Sequence, residues 1–186
     1  MTKPVHVLGF AGSLRKDSYN AALLRAAEEL LPEGTSLEIF DLAPIPLYNG
    51  DVEAEGTPEP VLRFKERIAA ADAILIATPE YCFSFPGVLK NAIDWASRMP
   101  GQSPLIGKPV AIMGASIGPW GTVRAQLHLR QVLVYNNMYA VNKPDVIIPR
   151  AQEKFDAQGR LTDEPTRDLV RQLLAALADW TRRLQA

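Results

Sequence analysis

The chain has little sulfur: one cysteine, Cys82, in 186 residues. A single thiol cannot close an internal disulfide, so a disulfide-stapled scaffold is excluded and a reducing, cytoplasmic setting is expected. Histidine is nearly as scarce. His6 and His128 stand far apart, and no metal-ligand spacing occurs. A surplus of either charge is missing too. The 20 Lys and Arg against 21 Asp and Glu leave a formal net charge of −1, with no long basic run, which argues against a nucleic-acid partner. No apolar stretch approaches the roughly 20 residues that span a bilayer, and residues 1–6 lead straight into a strand without a signal-peptide segment. These absences give the expectation of a soluble, cytoplasmic protein with one domain over residues 1–186.

What is present is alternation. Residues 5–8, 37–40, 73–77 and 109–113 read as strands, and a fifth runs from 139–141 through 146–148. The unbroken apolar run 73–77 predicts a strand buried on both faces. Helical spacing covers 20–31, 61–71, 123–135 and 166–184, and another helix follows Pro86. The Pro-rich connection 42–60 has a turn at 48–51; it either rims a pocket, joins a subunit contact or is an ordered surface loop. Five strands alternating with five helices imply a three-layer, doubly wound α/β fold with right-handed crossovers. Ligand-like turns follow strands one, three and four. That placement suits the flavodoxin-like order 2-1-3-4-5, which opens a crevice between the ends of strands one and three.

The turn after strand one carries Ser13, Arg15, Ser18, Tyr19 and Asn20 where a helix begins. Free N–H groups at a helix N-terminus suit a phosphate monoester, and Arg15 adds a charge-assisted clamp. The competing reading has Ser18 merely capping the helix and Arg15 in solvent. Other phosphate motifs fail. Gly9 and Gly12 lack the G-x-G-x-x-G spacing. Gly101 and Gly107-Lys108 have five residues between the glycines instead of four, with Pro109 in place of Ser or Thr.

The turn after strand three, Pro79 to Pro86, differs in chemistry. Pro79 gives a rigid wall, and the irregular backbone from Glu80 to Phe83 can present N–H and C=O groups to the edge of a heterocycle. Tyr81 and Phe83 can then cover its face. Alternatively Tyr81, Phe83 and Phe85 are core aromatics over a helix end. The turn 114–122 is rich in small residues that admit a ligand close to the backbone. Three such turns on one sheet edge offer a phosphate end, a middle and a ring slot, the shape of flavin mononucleotide (FMN).

Three groups of residues carry a family resemblance: Gly12-Ser13-Leu14-Arg15 with Ser18 and Asn20; Pro79-Glu80-Tyr81 with Ser84, Pro86-Gly87 and Leu89-Lys90-Asn91-Ala92-Ile93-Asp94-Trp95; and Gly114-Ala115-Ser116 with Arg124-Ala125-Gln126. Together they resemble the NADPH-dependent FMN reductase family over roughly residues 5–148. The resemblance implies bound FMN, with NADPH or NADH as co-substrate. It implies hydride passing through flavin N5 to a small-molecule acceptor: a quinone, an azo compound, free flavin or a metal oxyanion. It puts Ser13, Arg15, Ser18 and Asn20 on the phosphate. Pro79, Glu80, Tyr81, Cys82 and Phe83 lie along the isoalloxazine, with Ser116 near its other side. It also implies a homodimer or homotetramer, with Trp95 either an interface anchor or a core residue. No side chain is assigned as acid or base, and Tyr81 shapes the acceptor site. Two positions depart from the family: Cys82 replaces a usual Asn, and Thr122 replaces a common second glycine.

Two rivals can be weighed. A flavodoxin-type FMN electron carrier with no substrate of its own is expected to be strongly acidic, unlike this chain. A hydrolase with Cys82 as nucleophile needs a cationic neighbourhood, which Phe83, Phe85 and Val88 do not supply.

Overall fold

The computed structural model describes residues 3–98 and 102–186, so residues 1–2 and 99–101, Gly101 among them, lie outside it. Its strands are β1 (Val5–Ala11), β2 (Thr35–Phe40), β3 (Ala73–Ala77), β4 (Pro109–Ala115), β5 (Tyr139–Ala140) and β6 (Val146–Ile148). All pair in parallel in the order β2-β1-β3-β4-β5, with β6 also on β4. This is the expected 2-1-3-4-5 arrangement. The fifth strand, however, comes in two pieces. Tyr139 and Ala140 pair with Pro109 and Val110, whereas Val146 to Ile148 pair with Met113 to Ala115. Pro144 lies between them and has no N–H to give a ladder.

The helices are α1 (Tyr19–Glu29), α2 (Gly50–Glu55), α3 (Glu59–Ala70), α4 (Gly87–Ser97), α5 (Val123–Tyr135) and α6 (Glu164–Leu184). α2 corrects the reading of residues 48–51 as a plain turn. Asn49 caps it by accepting from the Asp51 N–H at 2.9 Å. None of its residues is buried, so it has no apolar stripe for a sequence to reveal. Among the described residues no helix is long and apolar enough to cross a membrane.

Side-chain alternation along each strand divides the core into two layers. Val5 and Val7 of β1, Leu75 of β3 and Met113 of β4 pack with Leu23 of α1 and with Val170, Leu173 and Leu177 of α6. Leu8 and Phe10, Ile74 and Ile76, and Val110 and Ile112 point the other way. They meet Phe64 and Ile68 of α3, Leu89 and Trp95 of α4, and Leu129 of α5. Burial of each such side chain contributes about 1.5–3 kcal/mol. Trp95 is only 1% exposed, so it belongs to this chain's core and is not a subunit anchor. Its indole N–H donates to the Pro46 carbonyl at 2.9 Å, tying the 42–60 connection to α4.

The crossover that leaves β1 through α1 lies on one face of the sheet, and the one that leaves β3 through α4 lies on the other. The chain therefore leaves β1 and β3, which are neighbours, in opposite directions, and a crevice opens at their carboxyl ends.

Candidate cofactor site

The turn after β1 begins with the Gly12 N–H donating to the Ala77 carbonyl at 2.8 Å, which fixes it beside the end of β3. Ser18 has extended backbone, and its Oγ accepts from the Asn20 N–H at 3.2 Å and the Ala21 N–H at 3.4 Å. It caps α1, and its hydroxyl proton can still be donated. Arg15 is exposed. One guanidinium nitrogen donates to the Asp17 carbonyl at 2.7 Å, and the Arg15 N–H approaches Ser13 Oγ at 3.4 Å. Asn20 is 3% exposed and bonds through both ends of its amide to the Ala115 backbone.

The turn after β3 is a two-residue hairpin. The Tyr81 N–H donates to the Ser84 carbonyl at 2.8 Å, and the Ser84 N–H returns to the Tyr81 carbonyl at 2.9 Å. Cys82 and Phe83, between them, have φ of 49° and 65°. Such tight hairpin loops favour Asn and Gly, and left-handed backbone costs other residues roughly 1–2 kcal/mol each. Strain of this kind concentrates at ligand clamps. Among the described residues, the N–H groups of Glu80, Cys82 and Phe83 have no protein partner. Tyr81 and Phe83 are 52% and 65% exposed, so neither is a core aromatic, whereas Phe85 does pack against the core.

Glu80 is held from outside its own turn. One carboxylate oxygen accepts from the Arg124 and Ala125 N–H groups at 2.9 and 3.2 Å, and the other accepts from Arg124 Nε at 2.6 Å. A second guanidinium nitrogen completes the ion pair. These N–H groups belong to the first turn of α5, whose own cap residue, Thr122, makes no side-chain capping bond. Negative charge there is favourable. The Arg124 guanidinium also lies 3.8 Å from the Phe83 ring centroid, a cation–π contact.

The turn after β4 places the Ser116 hydroxyl where it accepts from the Gly118 N–H at 3.1 Å. Gly121 has φ of 58°, and a side chain there would meet Ile147 at 2.6 Å. Thr122 points inward, fully buried, and its hydroxyl accepts from the Gln126 amide at 3.1 Å. A Cβ at Gly114 would lie 2.2 Å from that hydroxyl and 2.4 Å from the Thr78 carbonyl. Thr122 thus departs from the family pattern on the side away from the open groove.

Two adjoining hollows result. One, of about 300 Å³, is lined by Ser13, Arg15, Ser18, Tyr19, Asn20, Pro79, Glu80, Tyr81 and Ser116. The next, of about 310 Å³, shares Glu80 and Ser116 and adds Cys82 and Phe83. Every residue expected from the sequence thus lines one hollow or the other. Sequence reasoning assigned only Ser116 in the third turn and missed Ile117, Trp120 and Arg124. Ile117 and Trp120, both 67% exposed, line the first and second hollow respectively, and Arg124 lines the second. An arginine two residues into a helix, just after a Gly-rich turn, was the available signal. Larger hollows exist, about 700 Å³ beside β2 and about 660 Å³ between α4 and α5. Neither combines unpaired backbone N–H groups with the sheet's crevice.

Residues 5–153 match the family model described as NADPH-dependent FMN reductase. Over 185 residues the chain is 57% identical to an NAD(P)H-dependent FMN reductase of Pseudomonas aeruginosa, covering 100% of both chains. It is 41% identical over 188 residues to a quinone reductase of Escherichia coli K12, again with 100% of each covered. In structure it resembles FerB, a flavoenzyme NAD(P)H:(acceptor) oxidoreductase from Paracoccus denitrificans. The TM-score is 0.88 at 38% identity, over 96% of this chain and 98% of that one.

Proposed function

The chain belongs to the NADPH-dependent FMN reductase family, and from that premise we propose that it is an FMN-dependent oxidoreductase moving reducing equivalents from NADPH or NADH to quinones and similar flat acceptors. The observation that carries this reading is the pair of adjoining hollows at the crevice, lined by residues of all three turns. Their size lies at the lower end of the range for small-molecule sites, and the donor set fits FMN. Arg15 with the Ser13 and Ser18 hydroxyls suits the phosphate. The unpartnered N–H groups of Glu80, Cys82 and Phe83 suit the acceptor atoms along a flavin edge. Ser116 and the Gly118–Gly121 backbone suit the opposite edge.

FMN held there would supply the hydride exchange with the nicotinamide and the acceptor. The protein binds, orients and excludes. Arg15, whose one guanidinium bond goes to the Asp17 carbonyl, would hold the phosphate. The hairpin N–H groups stand ready where negative charge develops, and they need no reorganisation because the Tyr81–Ser84 pairing already holds them. Tyr81, Phe83 and Trp120 offer exposed aromatic surface to the acceptor and keep water from it. No side chain is required to carry a proton.

We further read the protein as a cytoplasmic homodimer or homotetramer. Leu127, Val134 and Tyr135 of α5 are 57, 76 and 84% exposed, an apolar set on one helix that suits a subunit contact. Light scattering on the purified protein tests the assembly. The activity is tested by titrating apo-protein with FMN and following NADPH and NADH oxidation by a quinone without air. Protein that takes up no FMN sinks the proposal. Protein that binds FMN but leaves both nicotinamides unoxidised is an electron carrier instead.

A further inference from the structure

We infer that Arg124 is a positioning residue that holds the strained hairpin in its flavin-binding shape; this rests on the cofactor reading above. The turn from Glu80 to Ser84 has two left-handed residues that lack the freedom of Asn or Gly, so its own sequence opposes the conformation it adopts. The two Tyr81–Ser84 backbone bonds close the loop but do not aim it.

Aim comes from α5 through one side chain that reaches both sides of the bend. The guanidinium edge grips Glu80, just before the hairpin, while its flat face covers Phe83 at the apex. The Glu80 carboxylate is 6% exposed and is fixed a second time by the α5 backbone. Glu80, Arg124 and Phe83 therefore form a rigid chain from a helix terminus to the loop tip, spanning the N–H groups of residues 80, 82 and 83. A further tie joins the same surfaces, with His128 Nδ1 of α5 lying 3.1 Å from Ser84 Oγ.

The polar edge of Arg124 is thus committed to Glu80 and one of its faces to Phe83. It acts through them and not through its charge on the ligand. Lysine keeps the charge but has neither the planar fork nor the stacking face. It also leaves the backbone bonds from residues 124 and 125 to Glu80 in place, so the α5 cap survives.

The test is flavin binding to apo-protein, read by quenching of flavin fluorescence, for FMN and for riboflavin, which lacks the phosphate. Wild type, Arg124→Lys, Phe83→Leu and the double variant are compared, with thermal melting of each apo form. Arg124→Lys should weaken riboflavin and FMN by the same factor, about tenfold. The ratio of the two dissociation constants should stay at the wild-type value, because the phosphate end is untouched. Phe83→Leu should also weaken both flavins equally, and the double variant should be no weaker than Arg124→Lys alone, since Arg124→Lys already breaks the stacking contact together with the fork on Glu80. Phe83→Leu approaches the contact from the other side should Arg124→Lys fold poorly. Riboflavin affinity unchanged in Arg124→Lys, or losses that multiply in the double variant, would overturn the inference while leaving the FMN reading intact. Wild-type protein that binds neither flavin overturns both.

Discussion

Asn20 and Ala115 are joined twice. Asn20 Nδ2 donates to the Ala115 carbonyl and its Oδ1 accepts from the Ala115 N–H, each at 2.9 Å. The pair spans 95 positions in sequence and ties the second residue of α1 to the last residue of β4. Two of the three turns around the crevice are thereby set against each other before any ligand arrives. A family likeness alone suggests a phosphate ligand at Asn20, yet most of its amide is already spent on the protein. One N–H is left over.

Asn20→Ala should therefore destabilise the fold. It strands a buried N–H and a buried C=O, each worth about 1–3 kcal/mol, so a loss near 3 kcal/mol is expected in urea unfolding. Asn20→Asp should be no milder, because a carboxylate oxygen would then face the Ala115 carbonyl. An Asn20→Ala protein with the wild-type midpoint removes the weld.

Arg15 should behave in the opposite way. It is exposed and its one bond, to the Asp17 carbonyl, is local, so Arg15→Ala should leave the unfolding midpoint within experimental scatter. Charge-assisted hydrogen bonds to an anion contribute about 1.5–3 kcal/mol. FMN affinity should accordingly fall roughly 10- to 100-fold while riboflavin affinity holds. Equal losses for the two flavins would move the phosphate elsewhere.

Tyr81 meets the hairpin only through its backbone bonds with Ser84, which a side-chain change preserves. Its exposed ring is free to lie against an acceptor. Aromatic pairing contributes about 0.5–1.5 kcal/mol, so Tyr81→Ala should raise the quinone KM by about three- to tenfold with FMN affinity little altered. An unchanged KM takes the acceptor role from Tyr81.

The parts of the molecule legible in the sequence are those where one physical signal is enough. Residues 73–77 are apolar throughout because both sheet faces are covered, and that alone marks a central strand. Ser13 to Asn20 follow a strand and start a helix, so their place at the crevice follows from topology. Roles that depend on a distant partner were not legible. Nothing near Glu80 announces that its carboxylate is taken by an N-terminus 44 residues away, nor does Thr122 declare that it faces Gly114 and Gln126. The gap at Pro144 and the helix at Gly50–Glu55 escaped for a different reason: each is short, and neither shows a periodic apolar face.

The 42–60 connection should open when Asn91 is removed. Its amide accepts from the Tyr48 N–H and donates to the Pro46 carbonyl, both at 2.8 Å. Tyr48 then lies edge-on to Trp95, 4.9 Å between centroids. Asn91→Ala leaves the Tyr48 N–H and part of the Pro46 carbonyl unpaired, which should speed limited proteolysis between residues 42 and 60 several-fold. The unfolding midpoint should move by only about 1–2 kcal/mol. A loop no more sensitive than in wild type shows that Trp95 alone secures it.

Asp163 gives the fold a defined acid sensitivity. It caps α6 by accepting from the Thr166 N–H at 3.1 Å, and it pairs with Lys154 at 2.7 Å. The Lys154 hydrogen bond, followed by that of the Thr166 hydroxyl, holds its carboxyl below the usual aspartate range against the opposing effect of burial. A group whose pKa is lower folded than unfolded binds fewer protons in the native state. Its stabilisation is present above the unfolded value, about 3.9, and fades as pH drops from there through the folded value. Asn is as good a cap as Asp, so Asp163→Asn should keep the helix start and lose only the charge pair. The stability gap between wild type and Asp163→Asn should be widest near neutrality and close steadily below pH of about 4. Asp163→Ala should lose a further ~1 kcal/mol that does not depend on pH, because it removes the cap itself. Glu38, which Arg67 also holds low, titrates in both proteins alike and cancels in the difference. A gap between wild type and Asp163→Asn that stays constant into strong acid means that the Lys154 pair contributes nothing to the folded state.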